Sequence, residues 1–173
     1  MQPTHSSRRI LLPVRNWFIV LTMSLALVLN LIPFGQLPGI PDWVALVLTF
    51  WCIHQPLKVG MAAAFVLGLA MDVADSSVLG QHALAYVLAA YAGAWLSRRI
   101  LWFPIAQQAL HVLPILLLVQ FVQFAVRVVP GVESPGLLYF VGPFVGVLFW
   151  LPLTFVLLLP QHRPVERDEN RPI

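Results

Sequence analysis

Charge is scarce in this chain. Asp, Glu, Lys and Arg together make up 10% of its 173 residues, whereas 60% of the residues are hydrophobic. Soluble globular domains are about a quarter charged and about half apolar. The composition therefore excludes an ordinary soluble domain and predicts a membrane protein with little soluble mass. No linker-like segment divides the chain, so we expect a single domain.

Cysteine is nearly absent as well. The single Cys52 lies in a hydrophobic run and excludes an internal disulfide. A net charge of +3 would be compatible with nucleic-acid binding. However, no Lys/Arg cluster forms a continuous basic face, so we predict no nucleic-acid partner.

The residue patterns of common enzymes are also missing. No Gly-rich loop is followed by a lysine, and no serine stands in a Gly-x-Ser-x-Gly turn. Five histidines are present, none at metal-ligand spacing from another or from a cysteine: His5, His54, His82, His111 and His162. The sequence thus predicts no enzyme, no catalytic residue, no cofactor and no metal.

Six hydrophobic segments are present, and they predict an all-α, polytopic membrane protein. Their approximate limits are 17–34, 40–54, 59–74, 81–101, 105–129 and 137–159. We therefore expect one six-helix transmembrane domain over residues 1–160. The charged remainder, residues 161–173, is predicted to be a disordered cytoplasmic tail.

The second segment, 40–54, is short for a membrane span. Its fifteen residues reach about 22 Å as a helix, whereas the hydrocarbon core is about 30 Å thick. The bilayer could thin there, the segment could be re-entrant, or its limits could lie elsewhere. Whether it spans fully is left open by its length alone.

The distribution of charge favours six spans. With six crossings, Arg127 alone among the ten Lys/Arg residues lies on the side opposite the amino terminus. The acids on that opposite side are Asp42, Asp72, Asp75 and Glu133. The positive-inside rule then predicts that both termini are cytoplasmic.

Small residues recur at four-residue steps in the third and fourth segments. The third segment carries Gly60, Ala64, Gly68 and Asp72, and the fourth carries Ala85, Ala89, Gly93 and Ser97. Such small-residue stripes let helix backbones approach closely in lipid, where contact rather than hydrophobicity holds helices together. They predict a tight antiparallel hairpin, although alanine and glycine are also simply common in membrane helices.

Asp72, near the end of the third segment, has three possible interpretations. It could be a solvated end residue, with Asp75 or Ser76 capping the next segment of the chain. It could face inward and bond to the next helix or to a partner. It could also form a catalytic pair with Asp75, although a membrane aspartyl protease needs carboxylates on two different helices. Gly80 is expected to let the backbone turn into the fourth helix, which begins with Gln81 and His82.

Polar residues also lie on one face of the fifth segment. Gln120, Gln123 and Arg127 are separated by steps of three and four. Inside a bilayer such side chains usually bond across helices, although Arg127 could instead extend to the outer interface. In the sixth segment, Gly142 and Gly146 suggest a second close contact or a kink.

The stretch "GLAMDVADSSVLGQHALAY" resembles the signature of the bacterial rod shape-determining MreD family. In that family a Gly-x-x-x-Asp ends the third helix and a Gly-x-x-Ala-Leu opens the fourth. The matching positions are Gly68, Asp72, Gly80, Ala83 and Leu84. The resemblance implies a fold similar to the membrane substrate-binding subunits of energy-coupling-factor transporters.

The resemblance also implies a function: a non-enzymatic inner-membrane scaffold of the machinery that builds lateral peptidoglycan and sets rod shape. Its implied partners are MreC, MreB, and RodA with its transpeptidase. The alternative is a small-molecule-binding subunit of a membrane transporter. The residues expected to pack helices or contact partners are Gly60, Ala64, Gly68, Asp72, Gly80, His82, Ala85, Ala89, Gly93, Gln120 and Gln123.

Overall fold

The computed structural model describes residues 14–32, 39–76, 78–129, 131 and 136–161. This part of the chain contains six α-helices and no strand. The helices are α1 (Asn16–Leu31), α2 (Trp43–His54), α3 (Met61–Ala74), α4 (Gln81–Ile100), α5 (Ile105–Val128) and α6 (Val141–Leu158). Short 3-10 turns at Leu137–Phe140 and Leu159–Gln161 flank α6.

The predicted all-α class is confirmed, and each predicted segment corresponds to one of the helices. Some limits differ by a few residues. α2 begins at Trp43 rather than residue 40, because Asp42 is its N-cap and accepts a hydrogen bond from the Ala45 amide. Of the predicted tail, 161–173, only Gln161 belongs to the described residues; Arg8, Arg9 and Glu133 lie outside them as well.

α2 lies at the centre of the bundle. Ten consecutive residues, from Val44 to Ile53, are buried, and the helix packs against α1, α4, α5 and α6. Aromatic contacts cover part of its surface: Phe18 of α1 packs against Trp51, and Trp150 of α6 packs against Phe50. α2 has only 12 residues, which is short for a membrane span. Because other helices surround it, its length does not have to match the thickness of the lipid.

α4 joins the peripheral helix α3 to the rest of the bundle. It packs against α3, α2 and α5, whereas α3 makes its main contacts with α4 alone. α5 in turn packs against α6, and α1 packs against α2. A displacement of α4 would therefore move α3 as well.

Two helical stretches, Ile105–Val128 and Leu138–Gln161, are long and apolar enough to cross a membrane; α1, α2 and α3 are apolar but shorter. The alternating direction of the helices gives the bundle two ends of different charge. The only described acids, Asp42, Asp72 and Asp75, lie at one end, which we call the acidic end. Four of the five described Lys/Arg residues lie at the opposite, basic end: Arg15, Lys58, Arg98 and Arg99.

Candidate functional site

At Gly68, α3 and α4 approach each other very closely. A Cβ atom built at Gly68 would lie 2.3 Å from Ala83 Cα and 2.5 Å from Ala83 N. Real Cβ atoms essentially never approach another atom below 3.0 Å. The obstacle is the backbone of α4, which has no rotamer to change, so this contact requires glycine.

Asp72 lies one turn after Gly68 and caps the beginning of α4. Its carboxylate accepts hydrogen bonds from the amides of Gly80 at 2.8 Å, His82 at 2.7 Å and Ala83 at 3.4 Å. The first amides of a helix have no partner within the helix, and the positive end of its dipole favours an anion. The N-cap residue of α4 is Gly80, which has no side chain to do this. Asp72 supplies the cap from the neighbouring helix.

Gly80 and His82 complete this arrangement. Gly80 has φ +96°, a left-handed conformation that residues with a Cβ rarely adopt. The His82 Nδ1 atom lies 3.0 Å from Asp72 Oδ1 and donates its hydrogen to the carboxylate. Both residues of the pair are buried, with Asp72 only 1% exposed. Of the three interpretations of Asp72, the geometry selects the inward one that bonds to the next helix.

Asp75 differs from Asp72 in both exposure and contacts. Its side chain is 44% exposed and its Oδ2 lies 3.8 Å from His82 Nε2. Burial raises the pKa of the Asp75 carboxyl above its ordinary value; His82 opposes this, and the charges of Asp42 and Asp72 add to it. Asp75 is thus an outlying member of the acidic end, whereas Asp72 is built into the helix contact.

A second carboxylate, Asp42, joins four helices. From α1, Asn30 Nδ2 donates to Oδ1 at 2.9 Å, and from α2 the Ala45 amide does the same. From α4, the Tyr86 hydroxyl lies 2.9 and 2.8 Å from the two carboxylate oxygens. From α5, Gln123 Nε2 donates to Oδ2 at 3.2 Å. We call Asp42, Asn30, Tyr86 and Gln123 the Asp42 network.

The network continues from α5 to the start of α6. Gln123 Oε1 accepts a hydrogen bond from the Tyr139 hydroxyl at 3.0 Å, and Gln120 Nε2 donates to the Tyr139 carbonyl at 3.1 Å. Gln120 and Gln123 are both buried. These two glutamines therefore use their polar groups to hold the turn that precedes α6.

The segment that carries Asp42 rests on the glycines of α6. A Cβ at Gly142 would lie 3.0 Å from the Ile40 carbonyl, and one at Gly146 would lie 3.5 Å from Pro41 Cβ and 3.2 Å from Leu116 Cδ1. A cavity of about 10 Å³ lies beside them, lined by Asp42 and Gln120 among apolar residues. This volume holds about one water molecule.

The remaining residues predicted to be at helix contacts differ in how closely they approach a neighbouring helix. Ala64, Ala85 and Ala89 are fully buried. Gly93 faces α2 rather than α3, because a Cβ there would lie 3.2 Å from Cys52 Cβ. At Gly60 a Cβ would meet nothing within 4 Å. The two small-residue stripes therefore do not face each other along their whole length: a close contact of the hairpin lies at Gly68, and at Gly93 the α4 stripe faces α2.

Sequence reasoning did not single out three members of the Asp42 network: Asp42 itself, Asn30 and Tyr86. One local signal was available, because an aspartate directly before an apolar helical run is a typical N-cap. No local pattern connects Asp42 with Tyr86 or Gln123, which lie 44 and 81 residues away.

The donors that surround both carboxylates come from the chain itself. Asp42 receives amide, carboxamide and phenol groups, and Asp72 receives three backbone amides and an imidazole. Within the described ranges, no group of three or more His, Cys, Asp or Glu residues could hold a metal ion. The arrangement joins helices through hydrogen bonds to carboxylates, which are stronger than neutral ones.

An all-α bundle with apolar, partly exposed helices fits the class of helical membrane proteins. A family model described as rod shape-determining protein MreD matches residues 8–159. The chain belongs to this family, which makes it a membrane protein with a role in rod-shape determination.

A curated relative supports this assignment. The rod shape-determining protein MreD of Haemophilus influenzae (strain ATCC 51907 / DSM 11121 / KW20 / Rd) is 32% identical over 160 residues. The match covers 88% of this chain and 96% of the relative. No solved structure matches the chain significantly.

Proposed function

We propose that this chain is a non-enzymatic scaffold of the cell-wall elongation machinery in the bacterial inner membrane. In this proposal all six helices cross the bilayer and both termini are cytoplasmic. The bundle contacts MreC and, with MreB, RodA and its transpeptidase, contributes to lateral peptidoglycan synthesis. Family membership supports the general role, and the polar contacts within the chain support a structural rather than a catalytic one.

The observation that carries the proposal is the use of the family-signature residues. Gly68 allows the backbone contact, Asp72 caps α4, and Gly80 provides the left-handed turn between them. A carboxylate occupied by three backbone amides is poorly available as a proton donor or nucleophile. Signature residues of a scaffold are expected to fix the shape of the bundle, so this structural use of Gly68, Asp72 and Gly80 supports the proposal.

The lateral surfaces of the bundle offer apolar faces to lipid or to a partner helix. α3 is peripheral and exposes Phe65 and Val66, while α1 exposes Val20, Leu21 and Leu25. Without a hydrophobic driving force inside lipid, partner helices are recognised by shape and by close packing. A correctly spaced α3–α4 hairpin is therefore needed for any partner that contacts α3.

Co-purification with MreC tests the scaffold proposal. The tagged full-length chain is co-expressed with MreC and recovered in mild detergent, alongside Gly68→Leu and the matched control Gly60→Leu. We expect MreC with the parent and with Gly60→Leu, and a reduced yield with Gly68→Leu. If MreC is missing from a monodisperse, helical parent sample, the scaffold proposal is wrong in its main partner.

The alternative, a small-molecule-binding transporter subunit, gains no support from the cavity beside Asp42. With a volume of about 10 Å³, it admits a water molecule rather than a vitamin-sized ligand. Thermal unfolding with a panel of vitamins tests this alternative separately, because a ligand that binds the folded chain raises its unfolding temperature.

A further inference from the structure

The two most exposed apolar side chains of the described residues, Leu57 and Trp102, lie at the basic end. Leu57, in the α2–α3 loop, is fully exposed, and Trp102, in the α4–α5 loop, is 90% exposed. Trp95, near the end of α4, is 75% exposed. Two separate loops thus present a large apolar residue at the same end of the bundle. In water this exposure is unfavourable, but an indole at the boundary between headgroups and hydrocarbon is favoured.

Positive charge lies next to these residues. Lys58 follows Leu57 directly, and Arg98 and Arg99 occupy the last turn of α4, just before Trp102. The side chains of Arg98 and Arg99 are exposed, and the ion pairs found in the described ranges involve neither of them. The three described acids are all at the far end of the bundle. No internal partner therefore neutralises this surface within the described part of the chain.

The contacts between elements show that these loops share one end. Lys58 Nζ donates to the Val14 carbonyl, and this places the α2–α3 loop beside the start of α1. A Cβ at Gly93 would lie 3.2 Å from Cys52 Cβ, so the last two turns of α4 lie beside the end of α2. Arg98, Arg99 and Trp102 come directly after this contact in the chain.

We propose that the basic end binds anionic phospholipid headgroups: Arg98 and Arg99 contact lipid phosphates, and Trp102 and Leu57 insert beneath them. An arginine guanidinium donates two parallel hydrogen bonds to a phosphate, and adjacent arginines attract anionic lipids over zwitterionic ones. An acidic protein surface would satisfy the arginines equally well. The exposed Leu57 and Trp102 lie on two separate loops, and this favours lipid, because protein interfaces gather their apolar residues into one core.

Spin-labelled lipids measure this binding without any protein partner, so the result is independent of the scaffold proposal. The full-length chain is placed in nanodiscs with spin-labelled phosphatidylglycerol or phosphatidylcholine, and the motionally restricted fraction of each lipid is compared. We expect the chain to prefer phosphatidylglycerol about fivefold, and about 1 M salt to weaken this preference. The double variant Arg98→Gln/Arg99→Gln should lose it, whereas Arg98→Lys/Arg99→Lys should retain most of it.

Arg127→Gln is the matched control, because it removes one positive charge from the acidic end. It should leave the lipid preference unchanged. Equal association of the parent with both lipids overturns the proposal, as does a preference that survives Arg98→Gln/Arg99→Gln. Equal lipid association together with specific binding of an acidic protein at Arg98 and Arg99 would assign the surface to that protein instead. Circular dichroism of each variant distinguishes lost lipid contacts from lost folding.

Discussion

At Gly68 a single methyl group is enough to disturb the contact between two helices. Gly68→Ala places a Cβ 2.3 Å from Ala83 Cα, so α3 and α4 must separate. We expect the variant to lose about 1–3 kcal/mol of stability, even though alanine favours a helix by about 1 kcal/mol over glycine. Thermal unfolding in detergent measures the loss.

Gly60→Ala is the control for Gly68→Ala. It adds the same methyl group at the N-cap of the same helix, where a Cβ would meet no atom within 4 Å. Its stability should stay within about 0.5 kcal/mol of the parent. Equal unfolding temperatures for the two variants would contradict the close contact at Gly68.

Asp72 and Asp75 are two carboxylates three residues apart with different structural roles. Asp72→Asn keeps the shape of the side chain but removes the charge and one acceptor, although three amides and an imidazole still point at it. We expect the free energy of unfolding to fall by about 2 kcal/mol. Asp75→Asn, at a partly exposed side chain, should cost less than about 0.5 kcal/mol. A larger loss for Asp75→Asn in chemical unfolding would contradict the assignment of the cap to Asp72.

At the scale of helices, the Asp42 network makes one carboxylate the meeting point of α1, α2, α4 and α5. Tyr86→Phe removes only the hydroxyl that donates to Asp42, at a residue that is fully buried. Because the Asp42 carboxylate then lacks this donor, we expect the free energy of unfolding to fall by about 1–2 kcal/mol. Tyr91→Phe, on the same helix but 58% exposed, should be neutral in the same unfolding experiment. If Tyr86→Phe and Tyr91→Phe changed the free energy of unfolding equally, the hydrogen bond to Asp42 would add no stability.

The helices and the hairpin could be predicted from sequence because their signals are local. A hydrophobic run defines each helix, and a four-residue step places Gly68 and Asp72 on one face of α3. The direction in which a stripe faces is not local. Gly93 continues the step of Ala85 and Ala89, yet it faces α2. Only the packing of the helices in three dimensions decides which neighbour a small residue meets.

These local signals could not predict contacts between residues that are far apart in the chain. In the sequence, Asp42 is a charged residue next to a proline, and Tyr86 is one aromatic residue in an apolar helix. Their hydrogen bond arises because α2 and α4 pack side by side. The short second segment shows the same limit, because its length could be explained only once α2 was found enclosed by four helices.

At the scale of the whole molecule, the two ends differ in how their charged residues are used. At the acidic end, Asp72 and Asp42 are used internally, for the α4 cap and the Asp42 network. The basic end leaves Arg98, Arg99 and Trp102 exposed. In a bilayer the positive-inside rule favours a cytoplasmic position for the basic end. The proposed topology therefore places the Asp72 cap and the α3–α4 loop outside the cytoplasm.

Accessibility labelling tests this topology most directly. Leu79→Cys lies in the α3–α4 loop, 73% exposed, and Arg99→Cys lies at the exposed basic end. The native Cys52 is fully buried, so the parent chain serves as the unlabelled control. With a membrane-impermeant maleimide on spheroplasts, we predict that Leu79→Cys reacts before lysis and Arg99→Cys reacts only after it. If both react from the same side, or Arg99→Cys alone reacts before lysis, the six-span bundle with a cytoplasmic basic end is contradicted.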